Sequence, residues 1–201
     1  MKTSNSLFTD KKFWAYLVKF TVVFCLCYFG TLAVIGIAAP GGLHSTFVEK
    51  HLDYVSWIKD SLIWTTGLIL SVFHIATYTA PEHIIRFVNG NGVHIAMDCV
   101  GYGVYSFWIA FVIANRGKWV KKLIWIIGGL FGLWFINVVR ITLYLTSLNR
   151  DWSLPFGIDH HTWFNIFAYL LIFALIFFYD RSFSGPSTHK KNKNSFPETI
   201  N

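Results

Sequence analysis

Residues 123–148 read LIWIIGGLFGLWFINVVRITLYLTSL. The stretch exceeds the roughly 20 apolar residues needed to cross a bilayer. Its one charged residue is Arg140. A spanning helix is the reading that fits, and four more apolar runs accompany it. Phe13 to Ala39 holds a first span from about Phe20 to Ala39, ended by Pro40-Gly41-Gly42. Ser61 to Ala80 is the second run, interrupted by His74 and closed by Pro81. Cys99 to Ala114 is the third, residues 123–148 the fourth, and Thr162 to Tyr179 the fifth.

Composition agrees. Of 201 residues, 54% are hydrophobic, 19% aromatic and 13% charged. That charged share is about half the usual one for a soluble domain. It excludes a soluble cytosolic enzyme, a disordered regulator and a disulfide-rich secreted module. The expected architecture is an all-α, polytopic integral membrane helix bundle of five or six spans. Residues 1–180 form one membrane-embedded domain, and residues 181–201 form a basic, disordered cytoplasmic tail. The start of the chain is not a clean signal peptide, because the apolar run behind Lys12 is too long.

The segments between the runs are informative. Gly41 to Asp60 carries His44, Glu49, Lys50, His51, Asp53, Lys59 and Asp60, which suits an interfacial amphipathic helix. Asn89-Gly90-Asn91-Gly92 is a strong turn signal. Arg86-Phe87-Val88 and Val93-His94-Ile95 flank it, so a short surface hairpin is expected within residues 82–98.

The net charge is +7. The basic residues do not form one groove-sized patch, so nucleic acid is not the expected partner. They flank the spans instead. Arg116, Lys118, Lys121 and Lys122 make the densest basic segment, which the positive-inside rule puts in the cytoplasm. The tail, with Arg181, Lys190, Lys191 and Lys193, falls on the same side. Five spans would then put the N-terminus outside, against the bias of Lys2, Lys11, Lys12 and Lys19. Either one front segment is interfacial or re-entrant, or the rule is overridden here.

This topology brings three residues to one level. The third helix runs inward, so Cys99 lies at its outer end. Arg140 lies about 25 Å along the outward-running fourth helix, close to a full hydrocarbon thickness. His160 and His161 open the fifth helix on the same face.

Each residue has a plain reading beside a chemical one. A buried thiol at Cys99 packs like a small hydrophobe. With Asp98 as N-cap, the first turn of a helix instead favours the nucleophilic thiolate. Arg140 either snorkels to headgroups or lines a polar cavity with Asn137 and Tyr144, which share its helix face. His160-His161 is a general base, a metal-ligand pair with His83, His94 or Asp98, or an interfacial pair without chemistry. These readings stay open on sequence arithmetic. Gly128-Gly129-Leu130-Phe131-Gly132 allows close helix packing, and Trp57, Trp119, Trp152 and Trp163 suit interface anchors.

Cys99-Val100-Gly101 opening one helix, Asn137-Val138-Val139-Arg140 late in the next and His161 opening the one after resemble the exosortase/archaeosortase family of polytopic membrane cysteine transpeptidases. The likeness covers roughly Gly90 to Tyr179, and the short chain is similar to compact members from Gram-negative bacteria that lack a longer N-terminal half. Val100 stands where the family usually has Ser or Ala, and Asn165 stands where a Gly often follows the His.

The resemblance implies catalytic Cys99, Arg140 and His161, with His160 the alternative histidine. It leaves Asn137 and His160 to orient Arg140 or bind substrate. It implies no metal and no cofactor. The implied partners are exported proteins bearing a C-terminal sorting signal (a short motif, a transmembrane helix and a basic tail). The enzyme would sit in the bacterial inner membrane, cleave that signal on the extracytoplasmic side through a Cys99 thioester, and pass the new C-terminus to a surface acceptor. The competing expectations are a membrane protease that only hydrolyses, and a small transporter or assembly factor using Arg140 and the His pair.

Overall fold

The computed structural model describes residues 10–39, 44–150 and 160–183. The elements run α1 (Lys11–Ala38), α2 (Thr46–His51), α3 (Tyr54–Val72), β1 (Thr77–Ala80), β2 (Ile84–Phe87), β3 (Gly92–His94), α4 (Met97–Val100), α5 (Tyr102–Ala114), α6 (Trp119–Arg150) and α7 (His160–Phe183). The protein is mostly helical rather than all-α, because a small antiparallel sheet of order β1-β2-β3 sits between α3 and α4.

Helix α1 begins well before the expected Phe20. Asp10 caps it by accepting from the Lys12 amide at 2.8 Å, so the lysine pair is absorbed into the first turn. Asp53 starts α3 the same way, accepting from the Ser56 amide at 3.1 Å. The described part of the stretch Gly41 to Asp60, from His44 on, therefore divides into short α2 and the first turns of α3, instead of forming one helix. The apolar run Ser61 to Ala80 also divides. Helix α3 stops at Val72, His74 takes a left-handed φ of 58°, and Thr77–Ala80 becomes β1. The expected hairpin is present as β2 and β3, with Ile85 opposite Val93, and β1 adds a third strand with Tyr78 opposite Arg86.

Helix directions follow from side-chain pairs. Phe20 meets Phe107 edge-on at 5.5 Å and Tyr28 meets Tyr102 at 5.3 Å, so α1 and α5 are antiparallel. Trp108 donates to the Trp125 carbonyl at 3.0 Å and Asn137 to the Val100 carbonyl at 2.9 Å, so α5 and α6 are antiparallel. Trp125 meets Tyr179 at 5.6 Å while Leu133 packs in one cluster with Ile172, so α6 and α7 are antiparallel too. Helix α3 runs in the same sense as α6. Trp134 donates to Ser61 at 3.0 Å, and Leu62, Ile63 and Leu70 pack with Val138, Ile141 and Leu145 and with the inner sheet residues Ile85, Val93 and Ile95.

Of the glycine cluster, Gly129 is the position that close approach requires. A Cβ there would overlap the Trp108 indole. Gly128 faces open space and Gly132 only grazes Leu171. At the other end of α6, the hairpin turn is latched to the helix. The Asn91 amide donates to the Asn149 side chain at 2.6 Å and the Asn91 side chain to the Leu148 carbonyl at 3.1 Å.

Among the described residues, two helices are long and apolar enough to cross a membrane, Lys11–Ala38 and Trp119–Asn149, where five or six were expected. Tyr102–Ala114 is apolar but shorter. The apolar faces look outward: Leu26 is 69% exposed and Phe173 69%. Trp57 and Trp119 are exposed. Trp152 and the tail beyond Phe183 lie outside the described residues.

Candidate active site

Cys99 does not open a long helix. It sits in the single turn α4, whose amide hydrogen bond runs from Cys99 N to the Ala96 carbonyl at 3.1 Å. Asp98, expected as an N-cap, is inside that turn, and its side chain is outside those described. Gly101 then breaks the chain direction with a φ of 77°, a left-handed conformation that costs other L-residues roughly 1–2 kcal/mol. The break frees the Val100 carbonyl, and Asn137 takes it up at 2.9 Å. Asn137 is 1% exposed. It anchors the turn that carries Cys99 and offers no surface to a substrate.

Arg140 reaches Cys99. Its Nη2 lies 3.4 Å from the sulfur, and the two residues come from α6 and α4. Trp108 lies against Gly129 and Val100 against Asn137, the same interval on each helix, so Cys99 is level with Val138. Arg140 starts half a turn beyond that level. Side chains on a helix lean toward its N-terminus, which carries the guanidinium back to the sulfur.

The pair lines a cavity of about 240 Å³ whose other walls include His94 from β3 and Ile141 and Tyr144 from α6. Tyr144 was expected on this face from its spacing to Arg140. His94, weighed in the sequence as a metal ligand, sits on the expected hairpin, and the packing of that hairpin brings it to the pocket. This arrangement sets a nucleophilic sulfur beside a guanidinium that can stabilise an oxyanion forming next to it.

His160 and His161 open α7. The α6–α7 register, carried on from Trp125–Tyr179 and Leu133–Ile172, sets their backbone level with Leu143 and Tyr144, one turn beyond Arg140. Their side chains are outside those described, as is that of Asn165. Among the described residues, no group of three or more His, Cys, Asp and Glu is arranged to hold a metal. Cys25 and Cys27 are free and half-buried within α1.

A second cavity, about 580 Å³, lies among α1, α3, α5 and α6, with Val100 in its wall. Its lining is chiefly apolar, with the Thr31 and Tyr54 hydroxyls bonded to each other at 2.6 Å.

Comparison of the chain with family models, with curated proteins and with solved structures finds no match.

Proposed function

We propose that the chain is a membrane-embedded cysteine transpeptidase of the exosortase/archaeosortase kind. The observation that carries this reading is the 3.4 Å contact between Arg140 and Cys99, made from separate elements in one pocket. An Arg late in an apolar helix is costly to insert, by roughly 2.5–3.5 kcal/mol at the helix centre. A partner sulfur in a pocket gives it a use there.

In this reading α1, α5, α6 and α7 cross the inner membrane. Helix α3 runs with α6 and does not return, so it stays on the outer side with the sheet. The number of crossings becomes four. The N-terminus, the basic segment around Arg116 and the tail then share the cytoplasmic face, in line with the positive-inside rule. The Cys99 pocket opens toward the extracytoplasmic side.

The reaction proceeds in two halves. The Cys99 thiolate attacks the scissile carbonyl of the sorting signal, and Arg140 stabilises the oxyanion. His161 gives a proton to the departing amine as the C–N bond breaks, leaving a thioester. An acceptor amine or hydroxyl then loses its proton to His161 and attacks the thioester, and the thiolate leaves. His160 is the alternative histidine. Asn137 acts at one remove, by holding the Cys99 turn.

Co-expression with a substrate carrying motif, transmembrane helix and basic tail tests the reading. Cys99→Ala, Arg140→Ala and His161→Ala should each abolish processing while the protein still accumulates in membranes. Normal processing by Cys99→Ala would overturn the proposal. Mass spectrometry of the product distinguishes transfer from hydrolysis, since a free C-terminal carboxylate would mean a protease.

A further inference from the structure

The cavity of about 580 Å³ beside Val100 falls within the size range of small-molecule pockets, ~300–1,000 Å³. Polar groups of its wall are spent inside the protein. Thr31 donates to the Cys27 carbonyl at 2.8 Å and accepts from the Tyr54 hydroxyl. Ser106 donates to the Tyr102 carbonyl at 2.8 Å, and Trp134 to Ser61. The Tyr105 hydroxyl is buried, so it does not open into the space. Such a wall holds water poorly, and an empty space of this size forfeits the contacts that keep protein interiors dense. The occupant that suits it is apolar.

Where the cavity opens narrows the choice. Ile127 and Phe131 of α6 stand in its wall and are exposed, so they mark its rim on the outside of the bundle. Val55, Val100 and Ser106 are buried and form its depth. Helix α6 and helix α1, which supplies Cys27 and Thr31, are the two helices long and apolar enough to cross a membrane. The rim therefore meets hydrocarbon wherever those helices span. The α5 wall runs from Tyr102 to Ile109 and the α6 wall from Ile127 to Trp134, about 10 Å of helix axis each. A spanning partner helix occupies about 30 Å. The walls are long enough for part of one lipid tail and too short to seat another spanning helix.

We propose that this cavity binds one hydrocarbon tail of a bilayer phospholipid, which enters past Ile127 and Phe131 and reaches Val100. Cys99 directly precedes Val100 in α4, so the tail packs against the turn that carries the sulfur. The proposal rests on the bilayer placement of α1 and α6 in the reading above, and not on the chemistry of Cys99.

The test uses the full chain in phosphatidylethanolamine nanodiscs, with a trace of the same lipid carrying a diazirine midway along one tail. Irradiation fixes the lipid where it lies, and peptide mass spectrometry reads the positions. Leu26 and Phe173, both exposed, are the references for bulk lipid. Adducts should also form at Val55 and Ser106, which are 1% and 3% exposed and out of reach of bulk lipid. Filling the space by Ile109→Trp, or from α6 by Leu130→Trp, should lower the adducts at Val55 and Ser106 about tenfold against the references, because each excluded methylene loses its apolar contact. Adducts confined to the references overturn the proposal, and so does a yield at Val55 and Ser106 that neither filled variant changes. Labelling of these two positions by a photoreactive substrate helix instead of lipid would assign the space to peptide and also overturn it. Unlabelled references would overturn the bilayer placement, and the proposal with it. A chain that carries the adducts yet never processes a substrate would sink the transpeptidase reading alone.

Discussion

The guanidinium of Arg140 meets the sulfur of Cys99 because two offsets cancel: its starting level on α6 is too high, and its side chain leans back by about the same amount. Asn137 makes this possible, since it fixes the turn by its bond to Val100. Asn137→Ala should cost about 1–3 kcal/mol, because a buried carbonyl loses its donor. Chemical denaturation in detergent would measure this, and slower alkylation of Cys99 should accompany it. An unchanged denaturation midpoint would mean that the Val100 carbonyl finds another donor. At this scale, much was readable beforehand. Arg140 announces itself as one charge in an apolar run. His94 lies in the expected hairpin, but its place at the Cys99 pocket depends on how the sheet packs against α6, which the hairpin pattern does not encode.

Among the elements, the breaks matter more than the runs. Hydropathy alone joined Ser61–Ala80 into one helix, yet Thr77–Ala80 is a strand. A short apolar segment with β-branched and aromatic residues suits either state, and pairing with β2 decides it. In the same way Cys99–Ala114 looked continuous until Gly101 turned it. Gly101→Ala should destabilise by roughly 1–2 kcal/mol through its left-handed φ and uncouple α4 from α5. Gly129→Ala should be worse, since its Cβ overlaps a wholly buried Trp108. Overpacking of this kind costs typically about 1–3 kcal/mol. Thermal unfolding followed by tryptophan fluorescence would rank the two, and a harmless Gly129→Ala would mean that α5 and α6 are not so closely apposed. Lys122 ties the α5–α6 connection by donating to the Ile113 carbonyl at 2.9 Å and to that of Asn115. One of the four lysines and arginines read as a topological flank is therefore also a cap for the end of α5.

For the whole molecule, the proposed topology has an even number of crossings because α3 runs with α6, and it agrees with the bias of the N-terminal lysines. Sequence arithmetic could count apolar runs but had no means to orient them. On the proposed topology, single cysteines at Lys12 and Arg116 should be labelled from the cytoplasmic side and one at Glu82 from the other, in membrane vesicles lacking the native thiols. Labelling of Lys12 and Glu82 from the same side would contradict it. Helix α5 has a further bearing on how an enzyme of the proposed kind would meet its substrate. Its 13 residues rise only about 20 Å, against a hydrocarbon layer of about 30 Å. If Arg116 marks the inner boundary, the sulfur of Cys99, just before α5, lies below the outer headgroups. A peptide bond must then be drawn down to it, and a substrate already held in the bilayer would reach it by sliding sideways. Encounter would be a search over an area, governed by how many substrates share the membrane rather than by their concentration in water.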